Sequence, residues 1–181
     1  MAARVIQTEG RVKRVVIIDL DVHQGNGTAA IFAGDPSVFT FSVHGQKNFP
    51  FHKEKSDLDI ALPDASGDDA FLDAARSGVP AAIEQAQADL AIYIAGADPF
   101  IEDRLGRLAM SKAGLLERDR LVFEQCARVG LPVAVVMGGG YARDVEDVVS
   151  IHFQTIRLAA EFALNWRAAG QPGGRDATFS E

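Results

Sequence analysis

Residues 15–28 read VVIIDLDVHQGNGT, in which a run of β-branched residues leads into two carboxylates and an imidazole. Side chains on an extended strand alternate between its two faces, so Asp19, Asp21 and His23 are predicted to share one face. Two carboxylates this close repel each other unless a cation or a proton lies between them. The stretch therefore predicts a strand whose end gathers three polar groups that could bind a metal.

Composition narrows the class of protein. The chain has 181 residues, 48% hydrophobic and 24% charged, as expected for one globular domain with a real core. Its net charge of −7 argues against binding nucleic acid through the phosphates. The single cysteine, Cys126, excludes an intrachain disulfide, suits a reducing cytoplasm and is expected to be a small core residue. There is no apolar run of ~18 residues and no signal-peptide pattern at the start, so a cytoplasmic protein with no membrane contact is expected.

Hydrophobic periodicity predicts alternating strands and helices. Strands are predicted at residues 14–18, 37–43, 89–94 and 133–137, and helices at 2–9, 28–33, 68–87, 111–130 and 144–166. Thr28 and Ser111 are the predicted N-caps, the helix over 68–87 is expected to break near Pro80, and 44–67 and 95–110 are predicted loops. A single domain is expected over residues 1–168, followed by a disordered tail over 169–181.

The alternation predicts an α/β fold with three α/β/α layers and a mainly parallel sheet. In such sheets ligands bind beyond the carboxyl ends of the strands. All four predicted strands end in polar or glycine-rich segments: 19–23 (DLDVH), 42–44 (SVH), 96–98 (GAD) and 138–141 (GGGY). Packing alone would rarely require this at four strand ends, so the rim is predicted to be a functional site.

Asp21, His23 and Asp98 form a candidate metal site on this rim. Three protein ligands leave one position open for water or substrate, as in catalytic zinc sites. The imidazole favours zinc or a neighbouring transition metal over magnesium or calcium. The glycines at 138–140 allow backbone to approach a ligand closely, and the phenol of Tyr141 could donate to a developing oxyanion.

Other interpretations apply to some of these residues. A hydrophobic strand followed by DLDV also resembles the first motif of haloacid-dehalogenase-type magnesium phosphatases, with Asp19 as nucleophile and Asp21 as acid/base, although that motif gives His23 no role. His44 could lie in the site or only hydrogen-bond a loop. His52 and His152 are expected on the surface or on a helix face, and residues 117–120 (ERDR) on a solvated helix face.

Five segments together resemble the histone deacetylase family of zinc hydrolases, which has the arginase/deacetylase fold. They are residues 19–28 (DLDVHQGNGT), 41–44 (FSVH), 95–98 (AGAD), 103–106 (DRLG) and 138–141 (GGGY), and they occur in the family's order. Gln24 and the DRLG segment are most similar to the class IV, single-domain branch and its bacterial relatives.

The resemblance implies roles for individual residues. Zinc would be held by Asp21, His23 and Asp98, and Tyr141 would polarise an amide carbonyl and stabilise the oxyanion. The substrate would be an acylated lysine or an acylated small amine. A structural K⁺ or Na⁺ would be bound by Asp19, Ser42 and Val43, and the substrate tunnel would be lined by Phe49, Leu105, Gly139 and Gly140. Ile101 and Glu102 depart from a glycine common in the family before the DRLG segment.

One family feature has no counterpart in this sequence. The family's general base comes from a pair of adjacent histidines that precede the first strand, and no histidine precedes His23 here. Asp19 and Asn26 match the positions that orient those two imidazoles. The fold is therefore expected to be incomplete on its N-terminal side, as a fragment, a mis-set start or a degenerate protein. A catalytically poor chain or a non-catalytic remnant is the resulting alternative to an active hydrolase.

Overall fold

The structure is a computed structural model that describes residues 1–168, so the tail predicted over 169–181 lies outside the described residues. Within 1–168, five strands form one sheet: β1 Val15–Asp19, β2 Val38–Gly45, β3 Leu58–Leu62, β4 Leu90–Gly96 and β5 Val133–Gly138. Five helices accompany them: α1 Ala2–Thr8, α2 Asn26–Phe32, α3 Asp68–Ala86, α4 Lys112–Arg128 and α5 Val145–Ala168. No helix in this part of the chain is long and apolar enough to cross a bilayer.

All strand pairs in the sheet are parallel, and the strand order is β3-β2-β1-β4-β5. The chain therefore moves outward from β1 through β2 to β3, and then returns to place β4 on the other side of β1. Asp19, at the end of β1, pairs with Ser42 of β2 and Ile94 of β4. The order of the strands reverses between β1 and β4, which is the topological switch point where α/β sheets form ligand-binding crevices.

Helices cover both faces of the sheet. Val16, Ile18 and Leu20 point into the main core, which also contains the buried faces of α3, α4 and α5. Val15 and Ile17 point the other way, into a smaller cluster with residues of α1 and α2. Cys126 is fully buried in the main core, as predicted. The predicted three-layer α/β/α arrangement is confirmed.

The prediction of a continuous loop over 44–67 is wrong, because it contains strand β3 at one edge of the sheet. Leu58, Ile60 and Leu62 alternate with Asp59 and a small alanine, and Leu58 and Ile60 are only partly buried. An edge strand covered on one face needs only this short alternation. The charged segment that precedes the strand, residues 53–57 (KEKSD), made its short apolar alternation difficult to recognise in the sequence.

Two helix details also differ from the predictions. Helix α3 runs unbroken through Pro80, because its buried face, with Phe71 and Val79 fully covered, packs continuously on the sheet and on α4. Helix α2 begins at Asn26 rather than after Thr28, since Gly25 is its N-cap and accepts the first helical hydrogen bond. Ser111 does cap α4, accepting a hydrogen bond from the Gly114 N–H at 2.9 Å.

The prediction that residues 117–120 form a solvated helix face is wrong for the two central residues. Arg118 and Asp119 are fully buried, whereas Glu117 is exposed, Arg120 is half-buried, and these two side chains face each other. A signal for this burial was present in the sequence. Arg118 lies three residues after Leu115 and four before Val122, on the apolar stripe of α4.

Candidate metal centre at the switch point

Asp21, His23 and Asp98 meet at the crevice between β1 and β4. Asp21 and His23 follow β1, Asp98 follows β4, and a ligand atom from each lies within 4.8 Å of the others. The His23 Nδ1 is 3.0 Å from Asp21 Oδ1 and 3.1 Å from Asp98 Oδ2. The structure thus brings together the three residues that the sequence proposed as metal ligands, from two strands that flank the switch point.

The electrostatics of this cluster favour a positive charge at its centre. Asp98 is fully buried, and burial raises the pKa of its carboxyl. Hydrogen bonds to Asp21 and Asp98 raise the pKa of His23 to about 10. In the metal-free protein at neutral pH, His23 therefore carries a proton between the two carboxylates. A metal ion would take the place of that proton, because a carboxylate pair of this kind requires a cation.

Backbone hydrogen bonds hold the carboxylates in place. The Val22 N–H donates to Asp98 Oδ1 at 3.0 Å, directly across the crevice. The His23 N–H donates to Asp21 Oδ1 at 2.9 Å, and the Asp21 N–H donates to Asp19 Oδ1 at 3.2 Å. The carboxylates are thus oriented by main-chain donors, which is the kind of preorganisation a metal site needs.

Glycines make the close approach of the strands possible. A Cβ atom at Gly96 would lie 2.7 Å from the Cα of Asp21, nearer than real atoms approach. A Cβ at Gly139 would overlap the Asp98 carboxylate, and Gly139 also has a φ of +56°, which disfavours other residues. The backbone at Gly139 therefore lies directly against the carboxylate of Asp98, one of the candidate metal ligands.

Asp19, Ser42 and Val43 lie deeper in the sheet, where the sequence placed a monovalent cation. All three are buried, and Asp19 and Ser42 are paired across β1 and β2. Burial, followed by the charge of Asp21, raises the pKa of Asp19 to about 8. A buried carboxyl of this kind holds either a proton or a nearby cation.

The histidines other than His23 lie outside the three-residue cluster. His44 is buried, its Nδ1 is 3.0 Å from Ser42 Oγ and 3.9 Å from Asp59, and burial lowers its pKa. His52 is exposed, as expected. His152 is half-buried on α5, with Nε2 3.4 Å from the Gly139 carbonyl oxygen.

A cleft of about 570 Å³ opens beside His23. Phe49 and Leu105, two of the predicted tunnel residues, line it and are both more than half exposed. Phe51, which the sequence did not indicate, adds a second aromatic wall edge-on to Phe49. Gly139 and Gly140 do not line this cleft; Gly139 lies behind the Asp98 carboxylate instead.

Tyr141 is positioned by Asp103, a residue to which the sequence assigned no role. Asp103 Oδ2 accepts the Tyr141 N–H at 2.6 Å, and Oδ1 accepts the N–H groups of Leu105 and Gly106 at 2.8 Å each. Arg104 Nε donates to the Tyr141 carbonyl oxygen at 3.0 Å. The side chain of Tyr141 is about half exposed. The DRLG segment thus joins the tyrosine backbone to a wall of the cleft.

Comparison with known proteins decides the family. The family model for the histone deacetylase domain matches residues 1–156. The chain belongs to the histone deacetylase family. An uncharacterized protein of Picosynechococcus sp. is 47% identical over 161 residues, which cover 89% of this chain and 54% of that protein. Histone deacetylase 2 of Arabidopsis thaliana is 32% identical over 143 residues, which cover 77% of this chain and 37% of that protein.

The fold agrees with this membership. The crystal structure of the HDA15 HD domain superimposes with a TM-score of 0.72 and 26% identity, covering 87% of this chain and 48% of that one. The predicted arginase/deacetylase-type fold is therefore confirmed, and the phosphatase alternative has no support. The chain spans about half the length, or less, of these relatives.

Proposed function

We propose that this chain carries the zinc centre of a deacetylase-type hydrolase that acts on N-acyl amides. The observation that carries the proposal is the convergence of Asp21, His23 and Asp98 at the switch point. One imidazole nitrogen and two carboxylate oxygens are a donor set that suits zinc. When bound there, zinc would polarise an amide carbonyl and lower the pKa of a water molecule.

Residues of the chain would stabilise the oxyanion and bind the substrate. Tyr141, whose backbone is fixed by Asp103, would donate its phenolic proton in a hydrogen bond to the developing oxyanion. Phe49 and Leu105 would bind the apolar part of the substrate in the cleft beside His23. We propose an acylated lysine or an acylated small amine as substrate, because the aliphatic part of such a molecule is narrow and apolar up to its amide.

Two further features belong to the same proposal. Asp19, Ser42 and the main chain of Val43 would hold K⁺ or Na⁺, since all three residues are buried, Asp19 and Ser42 are paired across β1 and β2, and a buried carboxyl needs a nearby cation when it is ionised. A cytoplasmic location is proposed because a chain with one cysteine forms no intrachain disulfide, which is typical of proteins in a reducing compartment. Cys126 itself is an unreactive core thiol, since burial raises its pKa to about 12.

A non-catalytic role is the second candidate. It is favoured by the position of the histidines: His23 is the one histidine in the metal cluster, and a ligand cannot also serve as general base. A protein with these residues alone could bind zinc and an acylated ligand while hydrolysing it slowly.

The reaction class is tested by supplying the purified chain with two substrates and two metals. An acetyl-lysine peptide or an acetylated polyamine should be hydrolysed slowly with zinc, and the rate should fall to background after chelation. Hydrolysis of p-nitrophenyl phosphate with magnesium should not exceed background. Magnesium-dependent phosphatase activity, or a rate of amide hydrolysis that is unchanged after chelation of the metal, would refute the proposed reaction class.

Zinc binding should depend on pH with a definite sign. Because the pKa of His23 is about 10 without metal, zinc must displace a proton at neutral pH. Apparent zinc affinity should therefore rise about tenfold per pH unit for each proton released, between about pH 6 and pH 9. Competition with a chromophoric chelator gives the affinity, and calorimetry in two buffers counts the protons. An affinity that is constant across this range would contradict the assignment of His23 as a ligand.

A further inference from the structure

Arg118 and Asp119 form a buried ion pair on α4, directly beneath the switch-point crevice. Both side chains are almost completely inaccessible to solvent. The Arg118 Nη1 donates to the Gly96 carbonyl oxygen at 2.7 Å and to the Leu20 carbonyl oxygen at 3.2 Å. Its Nε and Nη2 donate to Asp119 Oδ1 at 3.0 and 2.8 Å. One guanidinium thus joins the ends of β1 and β4 to α4.

Asp119 extends this network to the rest of the core. Its Oδ1 also accepts the Tyr93 hydroxyl, and its Oδ2 accepts the Thr155 hydroxyl of α5, both at 2.5 Å. Although burial acts to lower the pKa of Arg118, the charge of Asp119 raises it, so the guanidinium stays charged. A buried pair costs desolvation free energy and is stabilising only when its hydrogen bonds are satisfied, as they are here.

The two carbonyl groups bound by Arg118 belong to residues close in sequence to the candidate metal ligands. Leu20 directly precedes Asp21, and Gly96 lies two residues before Asp98. The same crevice is also crossed by the hydrogen bond from the Val22 N–H to Asp98 Oδ1. The ladder between β1 and β4 ends with the hydrogen bond from the Leu20 N–H to the Ile94 carbonyl oxygen at 3.1 Å. Beyond it, the two strand ends are joined by the Arg118 guanidinium and by the hydrogen bond from the Val22 N–H to the Asp98 carboxylate.

We propose that Arg118 is a positioning residue, which holds the ends of β1 and β4 at the spacing that Asp21, His23 and Asp98 need to share one metal ion. Its effect on metal binding rests on the proposed function; its effect on the crevice does not. A planar fork is required because three nitrogens point at once to a carboxylate and to two carbonyl groups, which a lysine ammonium cannot reproduce.

The test compares Arg118→Lys and Arg118→Met with Thr155→Val. The control variant removes the hydrogen bond that Asp119 accepts from α5 and leaves the bonds from Arg118 to the strands in place. Denaturant unfolding curves give the free energy of unfolding of each variant, and hydrogen exchange is then compared at denaturant concentrations where these free energies are equal. Arg118→Lys keeps the charge and guards against the case in which Arg118→Met does not fold.

Two measurements are then made on each variant. The first is hydrogen exchange of the Val22 amide without metal, which should be at least about tenfold faster in the Arg118 variants than in Thr155→Val at matched stability. The second is zinc affinity by chelator competition, which should weaken about 10- to 100-fold, as loss of an outer-shell partner does in other metal sites. The absorption spectrum of bound Co²⁺ should change in the Arg118 variants and not in the control.

The outcomes separate this inference from the proposed function. Val22 exchange and zinc affinity that match those of Thr155→Val would overturn the positioning role of Arg118. Faster Val22 exchange in a chain that binds no zinc, even as wild type, would support the positioning role and refute the metal centre.

Discussion

The zinc-loaded 181-residue chain should hydrolyse an acetyl-lysine peptide about 10²- to 10⁴-fold more slowly than a full-length deacetylase assayed beside it. This is the factor that general-base catalysis typically contributes. His23 is a candidate metal ligand and His44 is buried against Ser42, so neither is placed to act as general base. The chain would retain electrostatic stabilisation and binding without a base beside the attacking water.

Histidine variants make this prediction specific. His44→Gln and His152→Gln should leave the slow rate unchanged within about twofold, because His44 is buried against Ser42, His152 faces the Gly139 carbonyl oxygen, and neither ring lines the cleft beside His23. The assay measures initial rates at saturating zinc, with the chelated protein as blank. A rate near that of the full-length enzyme, lost in one of these two variants, would show that this histidine acts as base and would make the account of the mechanism wrong.

The Tyr141→Phe variant should lose about two orders of magnitude or more of the zinc-dependent turnover of the unmodified chain. Removing one donor to a developing oxyanion has effects of this size in other hydrolases. The tyrosine ring is about half exposed and its backbone, not its hydroxyl, is held by Asp103. The fold and the zinc content should therefore not change.

Steady-state kinetics on acetyl-lysine peptide, with melting temperature and zinc content measured in parallel, separate these effects. A fall in kcat with unchanged KM is expected, because the phenol acts on the transition state. Near-normal turnover would contradict the role of Tyr141. A parallel fall in zinc content would show that the residue supports the metal site instead of the oxyanion.

Much of the fold could be predicted because its signals are local. The strands predicted at 14–18 and 89–94 contain the buried apolar runs 15–18 and 91–93, and the segments between them carry helical periodicity. Strand β3 was missed because an edge strand needs little apolar surface, and its short alternation follows a segment rich in charged residues. The expected break at Pro80 failed because packing of α3 outweighs a local preference.

The candidate ligands could also be predicted, since Asp21 and His23 follow from the two-residue period of a strand and Asp98 from the end of its neighbour. Arg118 could not, because two of its three partners are carbonyl groups at the ends of β1 and β4. No local pattern shows which backbone groups remain free at the end of a sheet. The ERDR segment was interpreted by its charges alone, although the spacing to Leu115 and Val122 indicated the buried face.

Zinc content of the purified chain tests the central claim most directly. We expect one zinc per chain in the wild type and in Asp73→Ala, which removes an exposed carboxylate of α3 that is not part of the metal cluster. Asp98→Ala and His23→Ala should retain little or none after the same dialysis, because each loses one of three protein ligands. A wild type that binds no zinc, or a stoichiometry that is unchanged in both ligand variants, would contradict the assignment of Asp21, His23 and Asp98 as the metal centre.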